Sequence, residues 1–537
     1  MLSYSQGPHG PLFEGTISDA LRQTVERYPK NTALISRHQS VRLTFAHLWE
    51  RVEQTSRGLV GLGLGPGDRI GVWATNCVEW VLLQLGTARI GAVLVNVNPS
   101  YRAHELGFVL KKSKMRAIFL FEKDRRSNYW EILEEARGGQ ELELQHAIAI
   151  GSTQWEAMLQ SGTGIPSGFA GNGVDVTNIQ YTSGTTGSPK GVLLTHRNLI
   201  NNACVIRDGM KITERDRICV PVPLYHCFGC VAGSLVSVLT GATMILPAST
   251  FEPLATMEAI ETERATTIYG VPTMFIGQLD HPEFRRFDFQ SLRSGVMAGA
   301  PCPIEVMKRV VNEMHCPEMT IMYGQTESSP VITMSGVDDS LERRVATVGK
   351  ACANTEIKIV NPGTGETAAV GEQGELCTRG YLVMKGYDQE PEATEKAIDE
   401  AGWLHTGDLA TMRTDEYVRV TGRAKDLIIR GGENIYPREV EDFLFTHPKI
   451  ADVQVVGLPD ERLGEIVAAW IRLKEPATEE EIRLFCEGRI AHFKIPQYFR
   501  FVEAFPLTVT GKVQKYKIRQ SEIELRGLEQ AANIETA

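Results

Sequence analysis

Apolar residues along this 537-residue chain recur at two spacings, and the two alternate. Helical spacing marks Leu21 through Tyr28, closed by Pro29, and Leu48 through Leu62, stopped by Gly63-Leu64-Gly65-Pro66-Gly67. Strand-like Arg69 to Ala74, helical Val78 to Ile90, strand-like Ala92 to Val97, helical His104 to Lys111 and strand-like Ala117 to Phe121 follow. Strands separated by helices of this length predict parallel βαβ layers, and a second such series is expected from Asn198 to about Met334. No repeat of fixed period is evident. From about Val348 the pattern changes to short strand-like runs with turns, Ile357 to Val360, Gly374 to Thr378 and Tyr417 to Thr421, which predicts a small β-rich subdomain.

Gly422-Arg423-Ala424-Lys425-Asp426 breaks the pattern, and a new α+β series begins: Val440 to Phe445, Ile450 to Leu458, Ile466 to Leu473, Glu479 to Ile490, Phe499 to Phe501. The fold class is α/β. A large N-terminal body of layered α/β subdomains plus the β-rich subdomain is expected over residues 1–424, and a small α+β domain, long enough to be compact by itself, over 425–537.

Composition narrows the partners. With 42% hydrophobic and 23% charged residues the chain has ample core material, and its net charge of −10 offers no basic field for nucleic acid. The ten cysteines are scattered singly apart from Cys227 and Cys230, and no second Cys-x-x-Cys stands at metal-ligand spacing, so packing cysteines in a reducing compartment are expected. Met1 to Phe13 has no basic region followed by an apolar run, and no apolar stretch reaches the length of a membrane span. The expectation is a soluble, cytoplasmic protein.

The most informative stretch is Tyr181-Thr182-Ser183-Gly184-Thr185-Thr186-Gly187-Ser188-Pro189-Lys190-Gly191. Its hydroxyls can donate to phosphate oxygens, Gly184, Gly187 and Gly191 let backbone N–H groups approach an anion, and Lys190 adds a charge. A Walker A loop is excluded, because Pro189 stands five residues after Gly184 and Lys190 is followed by Gly191. A flexible Ser/Thr/Gly linker is the plainer reading, but Val174, Val176 and Ile179 before the loop and Val192 to Leu194 after it are strand-like.

The loop resembles the phosphate-binding signature of the acyl-adenylate-forming superfamily, which includes acyl-CoA synthetases, adenylation domains of peptide synthetases and beetle luciferases. Further matches run in the family's order from about Thr16 to Lys512. In Tyr323-Gly324-Gln325-Thr326-Glu327 the resemblance places Tyr323 against adenine, Thr326 at the α-phosphate and Glu327 on Mg2+. Gly299-Ala300-Pro301 matches the segment flanking adenine. Trp403-Leu404-His405-Thr406-Gly407-Asp408 supplies a ribose carboxylate in Asp408, with Arg423 reaching ribose or phosphate; read alone, Asp408 is as well explained as a turn-capping side chain.

The C-terminal part adds Gly431-Gly432-Glu433-Asn434-Ile435-Tyr436-Pro437, where two glycines permit close approach of a thin ligand such as pantetheine, and Pro506-Leu507-Thr508-Val509-Thr510-Gly511-Lys512. Lys512 looks like the family's lid lysine, which bridges carboxylate and α-phosphate in the first half-reaction only. The resemblance makes Lys425 the hinge about which a mobile lid rotates between steps. His226, in Pro223-Leu224-Tyr225-His226, matches the residue at the carboxylate end of the acyl pocket. Cys230 stands where some long- and medium-chain members carry a Trp gate. Val231, Met297, Ala298, Gly324, Val331 and Ile332 are the remaining pocket candidates, apolar or small and without fixed charge.

The function implied is an AMP-forming acyl-CoA synthetase resembling medium-chain fatty acyl-CoA ligases. It would use ATP, Mg2+ and CoA with a small-molecule carboxylic acid, and a homodimer is left open. A ligase for an aryl or modified acid, a luciferase-like oxygenase, and a non-turnover ligand-binding protein share parts of the pattern. A peptide-synthetase adenylation domain is disfavoured, since no carrier-attachment Ser follows a Gly-Gly-x context.

Overall fold

Reciprocal capping starts the first helix: the Thr16 hydroxyl accepts from Asp19 N at 3.1 Å while the Asp19 carboxylate accepts from Thr16 N at 2.9 Å, and helix Ile17–Arg27 follows. The computed structural model describes residues 1–528 except 125–126, 140, 163, 170, 183–188, 301, 424–425, 431–432, 461 and 509–512. It separates into two compact units, one of Ser5–Ile357 with Thr378–His405, the other of Met1–Tyr4, Lys358–Cys377 and Thr406–Ala537.

The larger unit contains two extended sheets. One runs in the order Gly386–Tyr387, Lys190–Thr195, Val176–Thr182, Val93–Asn96, Arg69–Trp73, Ala117–Leu120, His146–Ala149. The other runs Lys350–Ala351, Val331–Met334, Glu318–Gly324, Ser294–Ala298, Thr267–Gly270, Arg217–Cys219, Thr243–Leu246, Thr32–Ser36, Val41–Thr44. Their centres are parallel, as the helix–strand alternation predicts, and their margins are closed by antiparallel strands. Helix Val78–Arg89 is apolar nearly all round and buried from Val78 to Ala88 apart from Glu79, so it lies inside the layers and covers no solvent face.

Two further sheets complete the described strands. The first is ordered Tyr4–Gln6, Thr355–Val360, Gln373–Gly380, Leu404–Met412, Val418–Arg423, the predicted β-rich part. The second is ordered Glu433–Ile435, Ile428–Arg430, Gly464–Leu473, Ile450–Asp460, with Tyr498–Phe501 parallel to Gly464–Leu473. Its core is Val453, Val455, Val467, Ala469, Ile471, Val440, Leu444 and Ile482. The helix expected from Glu479 to Ile490 ends at Cys486, because Glu487 is extended and Gly488 turns at φ +70°. Helix Lys515–Arg526 was not legible: among its residues only Ile518 and Glu522 are buried, too few for a periodic stripe.

One buried base in the larger unit carries a pH consequence. His196, 1% exposed, accepts from Ile17 N through Nδ1, and burial pushes its pKa down to about 4 against the opposing pull of Asp175 and Asp19. The fold therefore holds it neutral while the unfolded chain protonates near pH 6.5, so this contribution is complete above pH 6.5 and is lost as pH falls towards 4. The expected loss between pH 7 and pH 5 is about 2 kcal/mol. Urea unfolding at both pH values, compared with His196→Asn, checks it: the variant should show a flatter dependence, and an equal slope in both proteins would rule the histidine out as the cause.

Candidate active site

In the larger unit the motif residues gather at the carboxyl ends of parallel strands, where open α/β sheets hold ligands. Strand Val176–Thr182 is parallel to Val93–Asn96 and ends at Thr182, which pairs antiparallel with Lys190, so the phosphate-type loop is closed at its base by these two residues. Ser183, Gly184, Thr185, Thr186, Gly187 and Ser188 lie outside the described residues. In the other sheet, strands Ser294–Ala298 and Glu318–Gly324 are parallel neighbours with Ala298 beside Met322. Gly299-Ala300 and Tyr323-Gly324-Gln325 thus leave the sheet side by side; Pro301 is outside the described set.

Gly324 is required where it stands. It sits at a register shift with φ +159°, and a Cβ there would lie 1.8 Å from Pro330 O. Immediately after it, Gln325 N donates to the Ser328 hydroxyl at 3.0 Å, folding Thr326–Ser328 into one 3-10 turn that presents Thr326 and Glu327. Helix His196–Gly209 fixes this turn from behind: Asn202 Nδ2 donates to Val331 O at 2.9 Å and Val331 N donates back to Asn202 Oδ1 at 3.0 Å.

Glu327 and Lys190 meet across Tyr387, a residue outside every motif quoted above. The Tyr387 hydroxyl donates to Glu327 Oε1 at 2.9 Å, and Lys190 Nζ lies 4.9 Å from the centroid of the same ring. Burial, then the Glu327 charge, raise the phenol's pKa far above its ordinary value, so it remains a donor. A carboxylate with one oxygen held by a phenol, next to the Thr326 hydroxyl, is a hard all-oxygen donor set that fits Mg2+.

His226 is half-buried; its Nδ1 accepts from Phe228 N at 3.3 Å. The following segment, Phe228–Leu235, is a π-helix, a form concentrated at functional sites. Gln84, buried on helix Val78–Arg89, supports it: its Nε2 donates to Cys230 O at 2.9 Å and its Oε1 accepts from the Ser234 hydroxyl at 2.7 Å. Gly229 is needed because a Cβ would lie 2.2 Å from Pro223 O. Cys230 is buried against Gln180 Nε2, 3.5 Å from its sulfur, and burial pushes its thiol up strongly; Cys227 is buried as well, and the described cysteines form no disulfide. Val231, Met297 and Ile332 are fully buried and Ala298 and Val331 nearly so, while Gly324 is exposed.

In the smaller unit Asp408 and Arg423 face each other on antiparallel strands, Arg423 Nε 3.0 Å from Asp408 Oδ1, with Asp408 buried and Arg423 exposed. The Thr406 hydroxyl accepts from Asp408 N at 3.1 Å, so a side chain other than that of Asp408 makes this turn bond. Gly431, Gly432, Lys425 and Lys512 are outside the described residues. The flanks of Lys512 are ordered by Leu507 pairing with Val513 and by Gln514 N donating to Pro506 O at 2.8 Å. Lys515 is anchored 2.6 Å from buried Glu441, whose Oε1 also accepts from Val455 N.

The model for the AMP-binding enzyme family matches residues 21–388, and the model for the AMP-binding enzyme C-terminal domain matches 439–512. The chain belongs to the AMP-binding enzyme family. It is 48% identical to YngI of Bacillus subtilis (strain 168), named as an acyl-CoA synthetase, over 96% of this chain and 99% of that one. It is 44% identical to a mitochondrial medium-chain acyl-CoA ligase, ACSF2, of Danio rerio, over 96% and 90%. The crystal structure of ATP-bound MatB from Rhodopseudomonas palustris superposes with a TM-score of 0.85 at 26% identity, covering 95% of this chain and 99% of that one. The chain is accordingly an acyl-CoA synthetase, an acid–thiol ligase of the AMP-forming kind. No helix among the described residues is long and apolar enough to cross a membrane.

Proposed function

We propose that the protein activates a medium-chain fatty acid in two steps. A carboxylate oxygen attacks the α-phosphorus of ATP and pyrophosphate leaves; the CoA sulfur then attacks the acyl carbonyl carbon and AMP leaves. The observation that carries this reading is the convergence of Lys190 and Glu327 on Tyr387 at the strand ends, which joins a phosphate-binding cation to a metal-binding carboxylate.

In this reading Thr182, Ser183, Gly184, Thr185, Thr186, Gly187 and Lys190 hold the β- and γ-phosphates, and Thr326 meets the α-phosphate. Gly299, Ala300, Pro301, Tyr323, Gly324 and Gln325 flank adenine. Asp408 accepts the ribose hydroxyls, with Arg423 beside it, and Gly431-Gly432 admits pantetheine. Glu327 would hold Mg2+, which when bound supplies charge neutralisation at the phosphates. His226 lies at the carboxylate end of the acyl site, and Lys512 pairs the two reacting anions. Residues 1–424 form the body and 425–537 the lid, turning about Lys425. Described cysteines that form no disulfide support a reducing, cytoplasmic setting.

The acyl preference is supported by the named activity of the ACSF2 relatives and by the apolar, uncharged pocket candidates Val231, Ala298 and Val331, buried in one apolar cluster. Each buried CH2 contributes up to about 0.8 kcal/mol, so kcat/KM should rise several-fold per carbon to an optimum within roughly six to twelve carbons, then fall. CoA-dependent AMP release across a chain-length series is the test; a peak at acetate or a preference for dicarboxylates would refute the assignment.

A further inference from the structure

Segment 380–388 ties together the two elements assigned to the nucleotide. Met384 N donates to Glu327 O at 2.9 Å, the next residue's Lys385 N donates to Leu193 O at 2.9 Å, and Asp388 N donates to Gly191 O at 2.7 Å. The backbone strap thus bonds to the acidic turn at one end and to the strand following the phosphate-type loop at the other. Its far end is locked: buried Asp388 receives both terminal nitrogens of Arg69 at 2.8 Å, and the same guanidinium donates to Ser113 O at 2.7 Å. Asn198 holds the near end by donating to Tyr381 O and to Val383 O, the latter at 3.1 Å. Tyr387 N is itself fixed by the Thr394 hydroxyl at 2.9 Å.

We infer that Tyr387 is a positioning residue for the nucleotide and its metal, its hydroxyl aiming the Glu327 carboxylate and its ring holding Lys190 in reserve for the phosphates. This deepens the function proposed above and rests on it. The two halves of the side chain act separately. The hydroxyl fixes Oε1 of Glu327, so the second carboxylate oxygen has a defined direction and a metal need not order the side chain on arrival. The ring face gives Lys190 a weak, reversible partner, its ammonium 4.9 Å from the ring centroid. A triphosphate draws Lys190 off the ring by the stronger attraction between opposite charges.

Because the two roles lie on different atoms, they separate by mutation. ATP binding is measured by calorimetry on the whole protein, once with excess Mg2+ and once with EDTA, for wild type, Tyr387→Phe and Tyr387→Leu. In Tyr387→Phe the gain in affinity that Mg2+ confers should shrink by about tenfold, the scale of one lost hydrogen bond to a charged group, while affinity in EDTA stays near wild type. In Tyr387→Leu the Mg2+ gain should shrink equally and affinity in EDTA should change as well, since the ring partner of Lys190 is gone. A Phe variant with the wild-type Mg2+ gain overturns the inference. Equal loss in Mg2+ and in EDTA for the Phe variant also overturns it, since that is what a merely structural role produces. A wild-type protein that binds no ATP under either condition overturns the proposed function with it, which distinguishes the two failures.

Discussion

Lys512→Ala is expected to lower acyl-adenylate formation by about 100-fold or more, while thioester formation from pre-made acyl-AMP stays within a few-fold of wild type. The asymmetry follows from the charge change in each step. Adenylation brings a carboxylate against a phosphate, two anions whose approach is disfavoured unless a cation meets both, and a positioned donor of this kind accounts for two to three orders of magnitude in rate. In the second step the thiol meets a carbonyl carbon and AMP departs, so the same ammonium has little to neutralise. The ordered flanks of Lys512, Leu507 against Val513 and Lys515 against Glu441, should survive the substitution, leaving the fold intact. Single-turnover kinetics of the two half-reactions check this, and equal losses in both would remove Lys512 from the assigned role.

The second large effect is expected from Glu327→Gln. The amide keeps the shape of the side chain, and its oxygen can still accept from the Tyr387 hydroxyl, so the 3-10 turn and the strap should be unperturbed. What is lost is one negative charge from a hard-oxygen donor set, and hard divalent cations favour carboxylate oxygen over amide. Adenylation should fall by about 100-fold with a rightward shift of its Mg2+ titration, and acyl transfer from pre-made acyl-AMP should be less affected. An unchanged Mg2+ titration would show that Glu327 is not the metal's carboxylate.

Local signals carried most of what could be read in advance. The phosphate-type loop, the Tyr323–Glu327 run and the Asp408 turn stand out in the sequence because each gathers chemistry-bearing residue types into a few consecutive positions, and at Gly324 the backbone requirement is met by the residue the sequence supplies. Parallel layering was legible because helices of regular period separate the strands. What the sequence hid was long-range. Tyr387 lies 60 residues from Glu327, and the Met-Lys-Gly-Tyr context names no chemistry; only a strand pairing between Gly386–Tyr387 and Lys190–Thr195 brings it to Lys190. Gln84 supports the π-helix from 146 positions away, and as a polar residue within an apolar helix it carried no visible purpose until the carbonyl of Cys230 was placed against it. The Lys515–Arg526 helix was hidden for a different reason: it buries Glu522 beside Ile518, and that carboxylate is satisfied by Trp470, Arg500 and Arg526, a polar core that apolar periodicity cannot register.

The claim on which the whole account turns is that a carboxylate is activated as its adenylate before CoA takes part. The most direct measurement is exchange of labelled pyrophosphate into ATP in the absence of CoA, with octanoate as the acid. The account predicts octanoate-dependent, Mg2+-dependent exchange that needs no CoA and that disappears in Lys512→Ala. Acyl-CoA formation without any such exchange, or with ADP and phosphate as the products, would contradict it.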